Sequence, residues 1–242
     1  MKRLYVVGIG PGDVRQMTFE ARECLEQSDV IVGYTVYANL VKEAFPDKEY
    51  IVTGMGSEEK RCLLALEEAQ KGSRVSVVCS GDAGVYGMAG LLMELAENTD
   101  VEICVIAGIT AALSGAAVLG APLGHDFAVI SLSDWLITWE RIEERLRAAA
   151  QADFCICIYN PSSKKRPDYL KRACDILLEQ KEGKTVCGYV QNIGREGEKA
   201  KILSLAELCM EKVDMFTTVF IGNSQTKQIG DQMVTPRGYQ VR

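Results

Sequence analysis

The sequence predicts an α/β protein of two α/β domains, the N-terminal one on a mainly parallel sheet and the C-terminal one on a mixed sheet. Three observations carry this. Short apolar runs alternate with segments of helical spacing; the runs at 4–7, 74–79 and 101–106 are largely apolar on both faces; and glycine-rich turns follow them directly. A strand buried on both faces needs cover above and below, and βαβ units provide it by packing helices on each side.

The elements follow in order. Residues 4–7 form the first predicted strand, ended by Gly8-Ile9-Gly10-Pro11-Gly12-Asp13. A helix is expected over 18–27, with Thr18 as its N-cap. Strands at 29–32 and 49–53 flank a short helix at 37–43. Ser57 is expected to cap a helix whose apolar positions Cys62, Leu63, Leu66 and Ala69 recur at helical spacing, and Gly72 ends it. Strands at 74–79 and 101–106 each run into a glycine turn and a helix, the first helix at 89–97. The run 103–124 carries no charge and has the length of a bilayer span. Gly108, Gly120 and Pro122 interrupt it, so it reads as strand, turn and a buried small-residue helix, and no membrane association is expected. Met1-Lys2-Arg3 resembles a signal-peptide start, but the apolar part ends within a few residues at a Gly-Pro-Gly turn.

The domain boundary is placed at 119/120, giving domains 1–119 and 120–242. Beyond it, strands are expected at 127–131, 153–159, 184–190 and 216–221. Helices are expected at 139–150, on Trp139, Ile142 and Leu146, then at 167–178 and 205–210. Helices thin out toward the C-terminus, which is why this second sheet is expected to be mixed.

Composition narrows the function. Lys and Arg number 27 against 33 Asp and Glu, a net charge of −6, which argues against a general nucleic-acid surface. The nine cysteines contain no Cys-x-x-Cys pair, and most lie in apolar runs. They read as small buried hydrophobes in a reducing cytoplasm. Cys155 and Cys157 share a strand face, but two thiolates alone make a poor zinc site, so no metal is expected.

The glycine turns decide more. The first is no dinucleotide fingerprint, because Asp13 stands where the last glycine belongs and would place negative charge at a pyrophosphate position. No acid closes the second strand, which also disfavours the common Rossmann-type methyltransferase, and no Gly-Lys-Ser/Thr marks a P-loop. Each turn alone is explained by tight geometry. Three of them, at 8–13, 80–87 and 108–111, follow strands of one parallel sheet and are expected to converge at its carboxyl edge, where such folds bind ligands.

With these turns assembled, the chain resembles the tetrapyrrole (precorrin) methyltransferases over essentially its whole length. The similar motifs are Gly8 to Asp13, Ser80-Gly81-Asp82 with Val85, and Gly108-Ile109-Thr110-Ala111-Ala112. Val190-Gln191-Asn192 with Arg195 and Glu198, and the stretch from Thr217 to Thr226, complete them. Within that family it is most similar to the branch acting at C-17 of precorrin-3B, or of its cobalt-containing equivalent cobalt-factor III, in cobalamin synthesis. The segments 32–37, 80–88, 124–134 and 159–164 carry that similarity; Ala83 replaces the proline of the wider family's Gly-Asp-Pro turn.

The resemblance implies S-adenosylmethionine as cofactor, bound in a cleft between the two domains, with Pro11 near the cleft entrance and Ser80, Gly81, Asp82, Val85, Thr110 and Ala111 at its methionine and ribose portions. It implies Asn160, Asn192, Thr218 and Gly222 around the adenine. It further implies an anionic tetrapyrrole substrate, a homodimer, and ring contraction coupled to methylation. Methyl transfer to an electron-rich ring carbon needs no protein nucleophile. Contraction needs proton movement and a stabilised oxyanion, for which Asp13, His125, Ser131, Ser133 and Asp134 are candidates. Duller roles stand beside these: Asp13 and Asp134 as helix N-caps, His125 as a turn residue, Tyr34 and Tyr37 as core aromatics rather than substrate contacts. An acidic protein that binds a polycarboxylate needs a local basic trough. Arg15, Lys164, Lys165, Arg166 and Arg195 are candidates; 164–166 read as a helix start, where three cations oppose the dipole. Methylation at another ring carbon, methylation of a protein or RNA, and a sensor that binds the donor without turnover remain as alternatives.

Overall fold

A computed structural model describes residues 2–239. The chain divides into two compact units, Met1–Ala111 and Ala112–Arg242. In the first, β1 (Lys2–Gly8) leads through a 3-10 turn (Val14–Gln16) to α1 (Phe19–Glu26), β2 (Val30–Tyr34) and α2 (Thr35–Lys42). Then come β3 (Glu49–Thr53), α3 (Glu58–Gln70), β4 (Val75–Cys79), α4 (Ala89–Ala96) and β5 (Val101–Ile106). All five strands are parallel, in the order β3-β2-β4-β1-β5. Every residue of β4 is buried, as a central strand under two helical layers requires. On one face Leu4, Val6, Val75 and Val77 pack with Cys62, Leu66 and Leu92 of α3 and α4. On the other, Val7, Ile31 and Val78 pack with Leu25, Val41 and Phe45.

Thr18 caps α1 as expected, accepting the Ala21 N–H at 3.1 Å. Two expectations about α3 fail. Ser57 precedes the helix but makes no side-chain cap, and Leu63 faces solvent. The inward stripe runs through Arg61, Cys62, Ala65, Leu66 and Ala69, and Leu63 lies one step further round the helix.

From Ala112 on, the second unit carries the rest of α5 (Ala111–Leu119), β6 (Gly120–Ala121), β7 (Phe127–Ser131), α6 (Trp139–Gln151), β8 (Cys155–Tyr159) and α7 (Tyr169–Leu177). It continues with β9 (Val186–Gln191), β10 (Lys199–Ser204), α8 (Leu205–Leu208), β11 (Thr217–Ile221), β12 (Lys227–Ile229) and β13 (Gln232–Val234). The main sheet has the order β10-β9-β11-β8-β7. Only β7 and β8 pair in parallel there, so the sheet is mixed, and β12-β13-β6 forms a small third sheet. Helices α6, α7 and α8 bury Ile142, Leu146, Leu170, Leu177, Leu205 and Leu208 against Ile156, Ile158, Val219 and Ile221.

The small-residue helix α5 packs closely at two glycines, its own Gly115 and Gly188 of the sheet below it. A Cβ at Gly115 would stand 2.9 Å from Ile193 and Phe220, and one at Gly188 would stand 2.9 Å from Leu119. Helix α7 begins at Tyr169, two residues later than expected, so Lys164, Lys165 and Arg166 precede the helix instead of opposing its dipole. All nine cysteines are free and seven are buried. Burial pushes the Cys62 and Cys79 thiols up to about 11. Among the described residues, no helix is long and apolar enough to cross a membrane.

Candidate active site

In the first unit the three glycine turns meet. Strand β1 lies between β4 and β5, so the turns that follow these strands leave the sheet side by side. Gly10 and Gly81 pair as a bridge: the Gly81 N–H donates to the Gly10 carbonyl at 2.7 Å, and the Gly10 N–H donates back at 3.1 Å. A Cβ at Gly108 would sit 2.2 Å from the Gly81 carbonyl oxygen and 2.6 Å from Gly8, so only bare backbone fits there. Gly10 and Gly81 hold φ of +72° and +73°, where glycine is the unstrained residue.

Asp82 ties the turns together. Its Oδ1 accepts the N–H groups of Gly84 at 2.8 Å and Val85 at 3.1 Å, and its Oδ2 accepts that of Gly108 at 3.0 Å. The knot thus collects Ser80, Gly81, Asp82 and Val85, with Thr110 just before α5 and Ala111 as its first residue. Pro11 is buried on the first turn. Tyr86, in the second turn, holds φ of +54°, a strained setting for a bulky residue.

Asp13 caps the 3-10 turn, accepting the Arg15 N–H at 2.8 Å, and the Arg15 guanidinium closes on its carboxylate at 2.6 Å. Arg15 holds the Asp13 carboxyl below its usual range. Both groups are solvated, so the pair adds little to stability. Tyr34 and Tyr37 sit edge to face with ring centres 5.1 Å apart at the ends of β2 and α2's first turn.

In the second unit, Ser131 ends β7 and accepts at Oγ from the Ser133 N–H (3.2 Å) and the Asn160 Nδ2 (2.9 Å). Asn160 and Asn192 follow β8 and β9 in the left-handed region, at φ of +52° and +54°. The Tyr159 hydroxyl accepts the Ala112 N–H at the start of α5 (2.7 Å), a tie that the sequence did not signal. Asp134 is not an N-cap; Thr138 caps α6. The Asp134 carboxylate instead accepts the Tyr169 hydroxyl at 2.5 Å and Arg166 Nη1 at 3.3 Å. The Tyr169 hydrogen bond first, and the Arg166 charge after it, hold its carboxyl below the usual range.

Arg166 is therefore already paired, while Lys164 and Lys165 are exposed. Arg195 lies 5.8 Å from the Phe216 ring. His125 is exposed on the turn before β7. Thr218 lies within the central strand β11. Gly222, just past it, is covered by Thr226, and its carbonyl accepts from the buried Lys181 at 3.1 Å.

The sequence reading also missed Arg61. This guanidinium is 3% exposed, bonded to the Gly54 carbonyl and to Met88 Sδ, and set over the Tyr34 ring. An arginine four residues before Ala65 and eight before Ala69, on an apolar stripe, was the available signal.

A backbone-lined knot at the carboxyl edge of a parallel sheet is the kind of place where open α/β folds bind small ligands. The sequence model described as Tetrapyrrole (Corrin/Porphyrin) Methylases matches residues 3–209. The chain belongs to that family and is a methyltransferase. It is 48% identical to the probable cobalt-factor III C(17)-methyltransferase of Salmonella typhimurium, over 98% of this chain and 99% of that protein. It is 39% identical to the precorrin-3B C(17)-methyltransferase of a Sinorhizobium species, over 98% and 96%. The crystal structure of the methyltransferase CobJ matches with a TM-score of 0.89 at 37% identity, covering 98% of this chain and all of that one. A uroporphyrin-III C-methyl transferase from Thermus thermophilus, complexed with S-adenyl homocysteine, shares the fold at a TM-score of 0.73 and 20% identity.

Proposed function

We propose that this chain transfers a methyl group from S-adenosylmethionine to C-17 of precorrin-3B or cobalt-factor III. Transfer is coupled to ring contraction and gives precorrin-4 or cobalt-precorrin-4 in cobalamin synthesis. The end-to-end likeness to proteins named for C-17 methylation of these two acceptors carries this reading.

The knot at Gly8, Gly81 and Gly108 fits such a donor, because turns without side chains at their contacts let a small molecule approach the backbone. Pro11, Ser80, Gly81, Asp82, Val85, Thr110 and Ala111 would hold the donor in the first unit. Asn160, Asn192, Thr218 and Gly222 are the contacts assigned to the adenine. S-adenosylmethionine supplies the methyl group as a sulfonium carbon, the departing sulfur keeping the bonding pair. The acceptor's ring carbon provides the attacking electrons, so the protein's part is to orient.

Ring contraction asks more of the side chains. Asp13 and Asp134 are held as anions by Arg15 and by Tyr169 with Arg166, which suits them to orienting rather than to donating protons. His125 and Ser133 are the remaining candidates for donating a proton. Ser131, whose Oγ accepts from the Ser133 N–H and the Asn160 amide, is assigned to orienting the developing oxyanion. Arg15, Tyr34, Tyr37, Lys164 and Arg195 are assigned to the substrate. The same reading makes the enzyme a cytoplasmic homodimer. Leu113 and Val118 of α5, 53% and 38% exposed, support contact with a second copy, and sedimentation tests it.

Incubation with cobalt-factor III or precorrin-3B and the donor, followed by mass spectrometry, tests the assignment. A product heavier by one methyl group is expected; unchanged acceptor refutes it.

A further inference from the structure

Arg61 carries a buried charge with no carboxylate in ion-pair contact among the described residues. Helix α3 turns it inward with Ala65 and Ala69, leaving 3% exposed. Nη1 lies 3.3 Å from Met88 Sδ, Nη2 donates to the Gly54 carbonyl at 3.0 Å, and Cζ stands 5.9 Å from the Tyr34 ring centre. None of these partners is an anion. Among the described residues Arg61 forms no ion pair, and its Nε is buried without a hydrogen-bond partner. Thr53 Oγ1, one residue before Gly54, is likewise buried and unpartnered.

Withdrawing a charge from water without an opposite charge is strongly unfavourable. An apolar side chain would fill the same stripe without that penalty. Two of the buried unpartnered groups, Arg61 Nε and Thr53 Oγ1, belong to residues that adjoin or bond the turn at 54–56 that follows β3. Because the sheet is parallel, this turn lies on the same edge as Gly8, Gly81 and Gly108. It is loosely packed: a Cβ at Gly54 or Gly56 meets nothing within 4 Å, and Met55 is exposed.

We propose that Arg61 recognises a carboxylate arm of the methyl acceptor, which enters at the turn at 54–56, replaces the Gly54 carbonyl on Nη2 and pairs with the guanidinium. The inference rests on the polycarboxylate acceptor assigned above and names a residue of its site. The exchange is favourable in chemistry, since a bond between opposite charges replaces one to a neutral carbonyl, and a planar guanidinium matches a carboxylate at two points. The Nε–H and the Thr53 hydroxyl are the donors still available for the second oxygen. The competing account is structural, with Arg61 only propping the turn through the Gly54 carbonyl.

Arg61→Met and Arg61→Lys separate the two. We measure acceptor KM and kcat, the Kd of S-adenosylhomocysteine by calorimetry, and the thermal midpoint. Arg61→Met is expected to raise acceptor KM about tenfold to a hundredfold, the effect of one charge-assisted hydrogen bond. The product's Kd should stay within about twofold and the midpoint should be kept or raised. An unchanged KM in folded protein overturns the proposal. So does a joint loss of acceptor affinity, product affinity and thermal midpoint, which is the mark of a prop. If Arg61→Met does not fold, Arg61→Lys carries the test: it keeps charge without the fork, so KM rises at constant kcat. If the unmodified enzyme methylates neither acceptor, the parent assignment fails. Uroporphyrin III binding, followed by fluorescence, then decides Arg61 separately: weaker binding in the variant supports it, equal binding overturns it.

Discussion

The Asp82 carboxylate accepts the backbone N–H of Gly108 at 3.0 Å, joining the turn after β4 to the turn after β5 across 26 residues of sequence. The same carboxylate organises its own turn through Gly84 and Val85. It is therefore a fastener of the knot before it is a ligand of anything.

Asp82→Asn should loosen the knot. The amide keeps one acceptor oxygen and turns an N–H₂ toward backbone donors, leaving at least one of them unpaired. We expect a stability loss of about 1–3 kcal/mol and weaker S-adenosylhomocysteine binding, read by urea denaturation and calorimetry. Unchanged affinity would remove Asp82 from the account.

Glycine substitutions should divide sharply by position. Gly108→Ala pushes a methyl into the Gly81 carbonyl, and a shift of backbone is its only relief. We expect a loss of more than about 2 kcal/mol and of donor binding. Gly90→Ala, on an exposed helical position with nothing within 4 Å, should stabilise by about 0.5–1 kcal/mol. Equal effects at the two sites would contradict the packing described.

Asp134 and Tyr169 set opposite pH limits. The Asp134 carboxyl is held below its ordinary value of 3.8, so its contribution is present above 3.8 and fades as pH falls through the folded value. The Tyr169 hydroxyl is held above its ordinary 10.0, first by its bond to Asp134. Its contribution is complete below 10.0 and fades as pH rises through the folded value. Tyr169→Phe should move the Asp134 midpoint, followed by carboxyl NMR, upward toward 3.8. No movement would show that Arg166 alone holds the carboxylate.

Asn160 combines a left-handed backbone with a hydrogen bond to Ser131. Asn160→Ala loses the bond and keeps the strained φ; Asn160→Gly loses only the bond. The alanine variant should be less stable than the glycine variant by about 1 kcal/mol. Both should slow ring contraction if Ser131 orientation matters, as accumulation of methylated, uncontracted product would show.

Much of this was legible in the residues. Two-sided apolar runs such as Val75-Ser76-Val77-Val78-Cys79 admit few readings other than a central parallel strand, and the turns that follow such strands must leave one edge. Burial of the cysteines followed from their apolar neighbours. Other features were hidden for physical reasons. Strand β10 exposes Lys199, Ala200 and Lys201, as an edge strand can, so its sequence carries no apolar run. The start of α7 was misjudged because Pro167 is acceptable at a first helical turn, and here it stays in the preceding turn. Arg61 escaped notice because charged residues in a helix are read as its wet face, whereas here one lies on the dry stripe. The partners of Asp134 are distant in sequence and leave no local trace.

The most direct test of the central claim is methyl transfer from donor carrying a 13C-methyl group to cobalt-factor III and to precorrin-3B, with the labelled carbon located by NMR. The account predicts label on C-17 of a contracted macrocycle. Label on any other ring carbon, or none on the macrocycle, would contradict it.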